Sequence, residues 1–146
     1  MEKDGHSCLI CQRIAQIETS QNKFFVQAMK TGYVVMGDHQ YYRGYTLFLS
    51  KDHVSELHEL EDRNLFLSEM AVVAEAVYKA FQPRKLNYEL LGNSESHLHW
   101  HLIPRYDVDP DPQRPIWVVD KKIRNQTLGE KELFELKRKL KIQLSS

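Results

Sequence analysis

The chain has 146 residues, 42% of them hydrophobic and 27% charged, which is the profile of one ordinary globular domain able to bury about two-thirds of its unfolded surface. Its 20 basic and 20 acidic residues cancel to a formal charge of zero, so no net field gathers polyanions, nucleic acid is a poor candidate partner, and any anion specificity has to come from a local site. No run of about 18 apolar residues offers a membrane span, and the opening MEKDGHSCLI has neither the apolar core nor the small-residue cleavage site of a signal peptide, so the expected location is the cytoplasm, with no membrane partner.

In chain order, CLICQRIAQIE (8–18) places Leu9, Ile10, Ile14 and Ile17 at helical spacing, so a short amphipathic helix begins near Cys8. KFFVQAM and YVVMG, around Lys30-Thr31-Gly32, read as a hairpin, and GYTLFLS after Arg43 adds a third strand. The stretch from Ser55 to Phe81 has no Gly or Pro and carries Leu65, Met70, Val73, Val77 and Phe81. It predicts a long helix, broken near Glu61 and ended by Pro83. LNYELLG is the fourth strand, and a short connection leads from it into ESHLHWHLIPRY (95–106). There His97, His99 and His101 alternate with Leu98, Trp100 and Leu102, the period of a strand, until the row meets Pro104. The three imidazoles then share one face around a phosphate-sized group, spaced roughly 6.5–7 Å along the strand, while the apolar residues face the core. DVDPDPQRP (107–115) lacks ladder donors and is expected to run as an extended surface loop toward Trp117. The closing segment Glu130–Leu144, with Leu133, Leu136, Leu140 and Leu144, reads as an amphipathic helix.

The histidine row suggests chemistry at phosphorus. A neutral imidazole has a free lone pair near pH 7 and needs no separate base, so a central histidine can attack an α-phosphate, hold the nucleotide covalently and release it to water. Its neighbours would orient the ring, contact nonbridging oxygens or deliver a proton. Two other readings stand beside this one. The histidines could be hydrogen-bonded core residues, although three on one strand face are hard to satisfy in that way. They could also bind a catalytic metal, H-x-H pairs being common ligands. Cys8 and Cys11 are too few for a disulfide framework and form a C-x-x-C pair that is either redox-active or metal-binding. No βαβ pattern supports the redox reading.

HLHWHLIP resembles the His-x-His-x-His signature, apolar at each x, of the histidine-triad (HIT) nucleotide hydrolases and transferases. YVVMGDHQYYRGYTLFLSKDHVSEL is similar to that family's strand, turn, strand and Lys-x-His element, so the resemblance covers about residues 8 to 106. It implies an α+β, HIT-like fold with a five-stranded antiparallel sheet packed with helices and extended across a two-fold homodimer. Residues 1–106 would form the HIT core, and 107–146 a C-terminal extension of the same domain. It also implies His99 as nucleophile, His101 as phosphate contact and leaving-group assistant, and His97 as the residue that holds its neighbour's orientation. Asp38 falls where the family binds the ribose hydroxyls, and Asn93 where it positions phosphate or leaving group; read from turn preference alone, both are ordinary turn formers. Many members have a longer Gly-rich loop before the triad with a hydroxyl or amide that reaches the leaving group. Here only GNSES is available, so Ser94 and Ser96 are the candidates, and Glu95 beside a phosphate has no place in the pattern.

By the same resemblance, Cys8 and Cys11 with His53 and His97 form the ligand set of zinc-bearing relatives, a structural zinc being suited to Cys and His donors. His6 and His58 are spare ligands. No catalytic cofactor is implied. The uridylyltransferase branch has glutamine where this chain has His101, which favours hydrolysis. The expected function is a hydrolase acting at the α-phosphate of nucleoside phosphoramidates or dinucleoside polyphosphates. The alternative is a purine nucleotide-binding module that acts through a protein partner with little catalysis.

Overall fold

Antiparallel pairing of successive strands organises the protein, seen in a computed structural model that describes residues 7–126 and 128–146. The Lys30-Thr31-Gly32 turn joins β1 (Phe25–Ala28) to β2 (Gly32–Met36), and β3 (Thr46–Ser50) pairs with β2 across a longer turn. That turn contains Gly44 at φ +92°, where a Cβ would meet the Phe81 ring at 2.5 Å, so only glycine fits. β4 (Lys85–Glu89) and β5 (His99–Arg105) complete a five-stranded sheet of order β1-β2-β3-β5-β4, antiparallel throughout. The expected α+β architecture is therefore present.

Helix α1 (Leu9–Glu18) starts at the predicted place, with the Cys8 thiol as N-cap accepting from the Cys11 amide at 3.3 Å. The long helical stretch is interrupted where expected: a single 3-10 turn at Leu57–Glu59 precedes α2 (Arg63–Phe81), which ends at Gln82 in the left-handed region before Pro83. A short α3 (Lys121–Arg124) was not legible from periodicity, whereas α4 (Glu130–Leu144) matches the predicted span. Among the described residues no helix is long and apolar enough to cross a membrane.

Alternation along the strands divides the apolar residues between two faces. Val34, Met36, Phe48, Leu98 and Leu102 face α2 and α4 and form the main core with Phe66, Val73, Val77, Leu136 and Leu140, and Trp100 packs at its margin. On the opposite face, Val35 and Leu49 meet Cys8 and Ile10 of α1. The histidines belong to this second face, which α1 covers only in part.

Three boundaries differ from the sequence reading. β5 begins at His99, so His97 precedes the strand. The strand also passes through Pro104, which pairs with Leu86 of β4. The β3 ladder has already ended at Thr46 opposite Leu102, so no donor is required of the proline on that side. Third, the 107–115 segment is not an extended loop. It winds in turns around Arg105, which is only 3% exposed. The guanidinium donates to Asp109, to Asn87 Oδ1 and to the carbonyls of Asp111 and Arg114, and this hydrogen bonding replaces the ladder that the prolines cannot join.

Candidate active site

Two hydrogen bonds fix the first two triad rings. His97 Nε2 donates to the Ser50 carbonyl at 2.7 Å, which leaves its Nδ1 as the free lone pair. His99 Nδ1 in turn donates to the His97 carbonyl at 2.7 Å, which leaves Nε2 as the free lone pair of His99. The third ring, His101, has Nδ1 2.6 Å from the Tyr45 hydroxyl, stacks on the Tyr45 ring and meets the Trp117 ring edge-on at 5.4 Å. His99 and His101 lie 4.8 Å apart between ring centroids, tilted by 60°. They lean closer than bare strand spacing predicts, because each side chain is directed by its own partner. The triad is thus not one row around a phosphate: His99 and His101 share a face, while the His97 ring points away into the cysteine cluster.

Burial disfavours charge on the paired rings. His101 is pushed down to about 3 by burial and by the adjacent His99. His99 is also lowered, burial outweighing its bond to the His97 carbonyl and the nearby Glu95 charge. Burial raises Tyr45 above the ordinary phenol range, so it remains protonated.

His99 borders two clefts. The first, about 120 Å³, runs from His99 and Glu95 past Leu47 and Leu49 to Arg13 and Asp38, with Leu9 and Ile10 as its apolar wall. The second, about 90 Å³, is lined in part by Ser55, Gly92 and Ser96. Asp38 and Ser96 therefore share space with His99. Asn93 and Ser94 sit on the exposed connection, outside both clefts. Sequence reasoning missed Arg13, which grips Asp38 with two parallel bonds of 2.7 and 2.9 Å. It also missed Tyr45 and Trp117 around His101. Alternation from Leu47 and Leu49 would have put Tyr45 on the histidine face; nothing in the sequence paired Arg13 with Asp38.

The proposed metal ligands converge. Cys8, Cys11, His53 and His97 each present one donor atom, all within 4.8 Å of one another. His97 Nδ1 is 3.5 Å from both sulfurs and 3.2 Å from His53 Nδ1, and Cys11 Sγ is 3.3 Å from His53 Nδ1. Zinc–ligand bonds of roughly 2.0–2.3 Å give tetrahedral edges of about 3.3–3.8 Å, so two thiols and two imidazoles at these separations suit such an ion. His58 is exposed and outside the cluster, and His6 lies outside the described residues.

Comparison with known proteins agrees with this geometry. Residues 18–108 match the model of the HIT domain. Protein hit of Bacillus subtilis is 32% identical over 71 residues, 44% of this chain and 49% of the relative, so the match spans about half of that protein's length. Among solved structures, a histidine triad protein from Bradyrhizobium japonicum superposes with a TM-score of 0.75 at 20% identity, covering 86% of this chain and 95% of the other. A Zn-bound histidine triad family protein from Mycobacterium smegmatis gives 0.67 at 17% identity, covering 97% and 95%. With the family model matched over residues 18–108, more than half of this chain, and His99 bonded to the His97 carbonyl beside a phenol-bonded His101, the chain belongs to the HIT domain family.

Proposed function

We propose that this protein hydrolyses nucleotides at the α-phosphate through a covalent nucleotidyl-His99 intermediate, with nucleoside phosphoramidates or dinucleoside polyphosphates as substrates. The observation that carries this reading is the His99 Nδ1 bond to the His97 carbonyl, which leaves Nε2 as the only ring atom able to attack. In the first step Nε2 forms a bond to phosphorus, the bond to the leaving group breaks, and the leaving group, hydrogen-bonded by the neutral His101 Nε2–H, takes its proton from water. Attack makes the His99 ring positive, and both the His97 carbonyl and Glu95 favour a positive ring. In the second step water attacks phosphorus, the P–N bond breaks with its electron pair returning to His99 Nε2, and the water proton leaves with solvent. Tyr45, as donor to His101 Nδ1, would keep the proton on Nε2 where it is needed.

Asp38 would take the ribose hydroxyls at the far end of the cleft, once Arg13 shares it. Zinc would be structural, held by Cys8, Cys11, His53 and His97, and would tie α1 to the residue before β5 without touching substrate. The protein would work in the cytoplasm as a two-fold homodimer on small nucleotides, with no nucleic acid or membrane partner. Edge strand β4 exposes Tyr88, with Leu91 following it, and edge pairing would cover both.

The test is rapid-mix intact mass spectrometry with adenylyl and guanylyl substrates. Wild type should show a transient nucleotidyl adduct, and His99→Ala neither adduct nor turnover, with nucleotide affinity within about tenfold. Near-normal turnover of His99→Ala would refute the covalent route. The alternative, a purine nucleotide-binding module acting through a protein partner, predicts binding with no adduct in wild type either.

A further inference from the structure

A cavity of about 550 Å³ begins where the His99 cleft ends: the two share Phe24, Asp38 and Leu47, and neither His99 nor His101 lines the cavity. Its own wall carries Lys23, Lys121 and Arg124. Arg124 is only 9% exposed, yet among the described residues no carboxylate pairs with it. Its Nε donates to the Val119 carbonyl at 3.0 Å and the guanidinium lies 5.0 Å over the Trp117 ring, which leaves the terminal nitrogens without an acceptor. Burying a guanidinium costs free energy unless an anion and hydrogen-bond acceptors accompany it. Asp38, the carboxylate at the border, does not supply that anion, because Arg13 already holds both of its oxygens from the cleft side. The His39 ring, pushed down to about 4 by burial and by the nearby Arg124, is uncharged at neutral pH and leaves the balance as it is. The charge of Lys23, Lys121 and Arg124 is therefore unmatched within the wall.

Asp38 is the residue proposed for the ribose hydroxyls, and it is also the carboxylate that cleft and cavity share. A group attached to the ribose would cross from one to the other over Asp38, whereas the reacting phosphorus stays beside His99, outside the cavity wall. A phosphate ester on the 2′ or 3′ oxygen suits that position. It is nearly dianionic at neutral pH, it offers the acceptors that a guanidinium fork takes up, and it leaves the other hydroxyl for Asp38. A nucleobase, uncharged at neutral pH, would leave Arg124 as uncompensated as before.

We infer that this cavity is an anion subsite for a second phosphate on the ribose, in which Arg124 and Lys121 favour 2′- or 3′-phosphorylated nucleotides over simple nucleoside 5′-phosphates. The assignment rests on the reading of Asp38 as the ribose contact; the charge of the cavity does not. The experiment is calorimetric titration of the full chain with AMP, adenosine 2′,5′-bisphosphate and adenosine 3′,5′-bisphosphate. Wild type should bind one of the bisphosphates about tenfold tighter than AMP, the scale of one charge-assisted contact. Arg124→Ala and Lys121→Glu should each lower that ratio by about threefold or more. Arg124 also ties α3 to the Val119 carbonyl, so Lys121→Glu, at an exposed position, decides the matter if Arg124→Ala does not fold. Wild type that binds both bisphosphates no tighter than AMP overturns the subsite, and a carboxylate of a second copy seated on Arg124 would give that result. A preference that persists undiminished in every folded variant overturns it as well, since the phosphate is then held elsewhere. Asp38→Ala separates the two readings, because it should weaken AMP itself. If AMP affinity ignores Asp38→Ala while the bisphosphate ratio still depends on Lys121 and Arg124, the anion subsite stands and the Asp38 contact to ribose falls.

Discussion

The backbone carbonyl of His97 accepts the Nδ1 proton of His99, while the His97 side chain turns toward Cys8, Cys11 and His53. One residue thus serves the cysteine–histidine cluster with its ring and His99 with its main chain. Cys8→Ser should lose stoichiometric zinc and lower the melting temperature by ~10 °C, yet retain measurable hydrolysis because the carbonyl stays in place. Serine can still cap α1 as the cysteine does, so the loss would report the metal and not the cap. Metal analysis and calorimetry check this. Zinc-free wild-type protein that melts like Cys8→Ser would remove the metal from the account.

Tyr45→Phe removes the hydroxyl 2.6 Å from His101 Nδ1 and leaves the stacked ring. We expect kcat to fall about tenfold, with a larger effect on poor leaving groups than on good ones and little change in KM. Equal loss across a leaving-group series would mean that Tyr45 only packs against His101.

These two predictions differ in how far the sequence led to them. The period of Leu98, Trp100 and Leu102 reveals the strand and its core face, and the spacing of Leu133, Leu136 and Leu140 reveals α4, because local repeat dictates which side chains share a face. Cys8 and Cys11 are adjacent on one turn and legible as a pair. The pairing of Tyr45 with His101 depends on β3–β5 register, and that of Arg13 with Asp38 on where α1 crosses the sheet. The His97 ring is aimed by a carbonyl 47 residues away. Such contacts arise from tertiary placement, and no local period encodes them.

The buried Arg105–Asp109 pair, with side chains 4% and 7% exposed, holds the 107–115 turns that lead to Trp117. Removing one partner strands a buried charge, so Asp109→Ala should destabilise by about 3 kcal/mol. Arg105→Lys should cost nearly as much, because an ammonium cannot reach Asp109, Asn87 and two carbonyls together. Urea unfolding at neutral pH measures both. A Lys variant as stable as wild type would show that the fork geometry contributes nothing.

The carboxylate of Glu69 on α2 closes the β1–β2 hairpin, accepting from the Lys30 amide at 2.9 Å and the Thr31 amide at 2.7 Å, and from the Thr31 hydroxyl. Burial alone would raise its pKa, but the bonds from Thr31 and Lys30 outweigh that and hold it below the usual carboxylate range. A folded-state pKa below the unfolded one means that the unfolded chain binds the proton more readily. The contribution is therefore complete above about pH 4.3, the unfolded value, and is lost as pH falls through the folded value. Glu69→Gln keeps the shape but removes the charge, and should cost about 1 kcal/mol at pH 7, with the gap to wild type closing as the carboxylate protonates. Unfolding midpoints between pH 7 and 3 trace this, and faster amide exchange at Lys30 and Thr31 should accompany it. A gap that stays constant through the acid range would assign the effect to shape and not to charge.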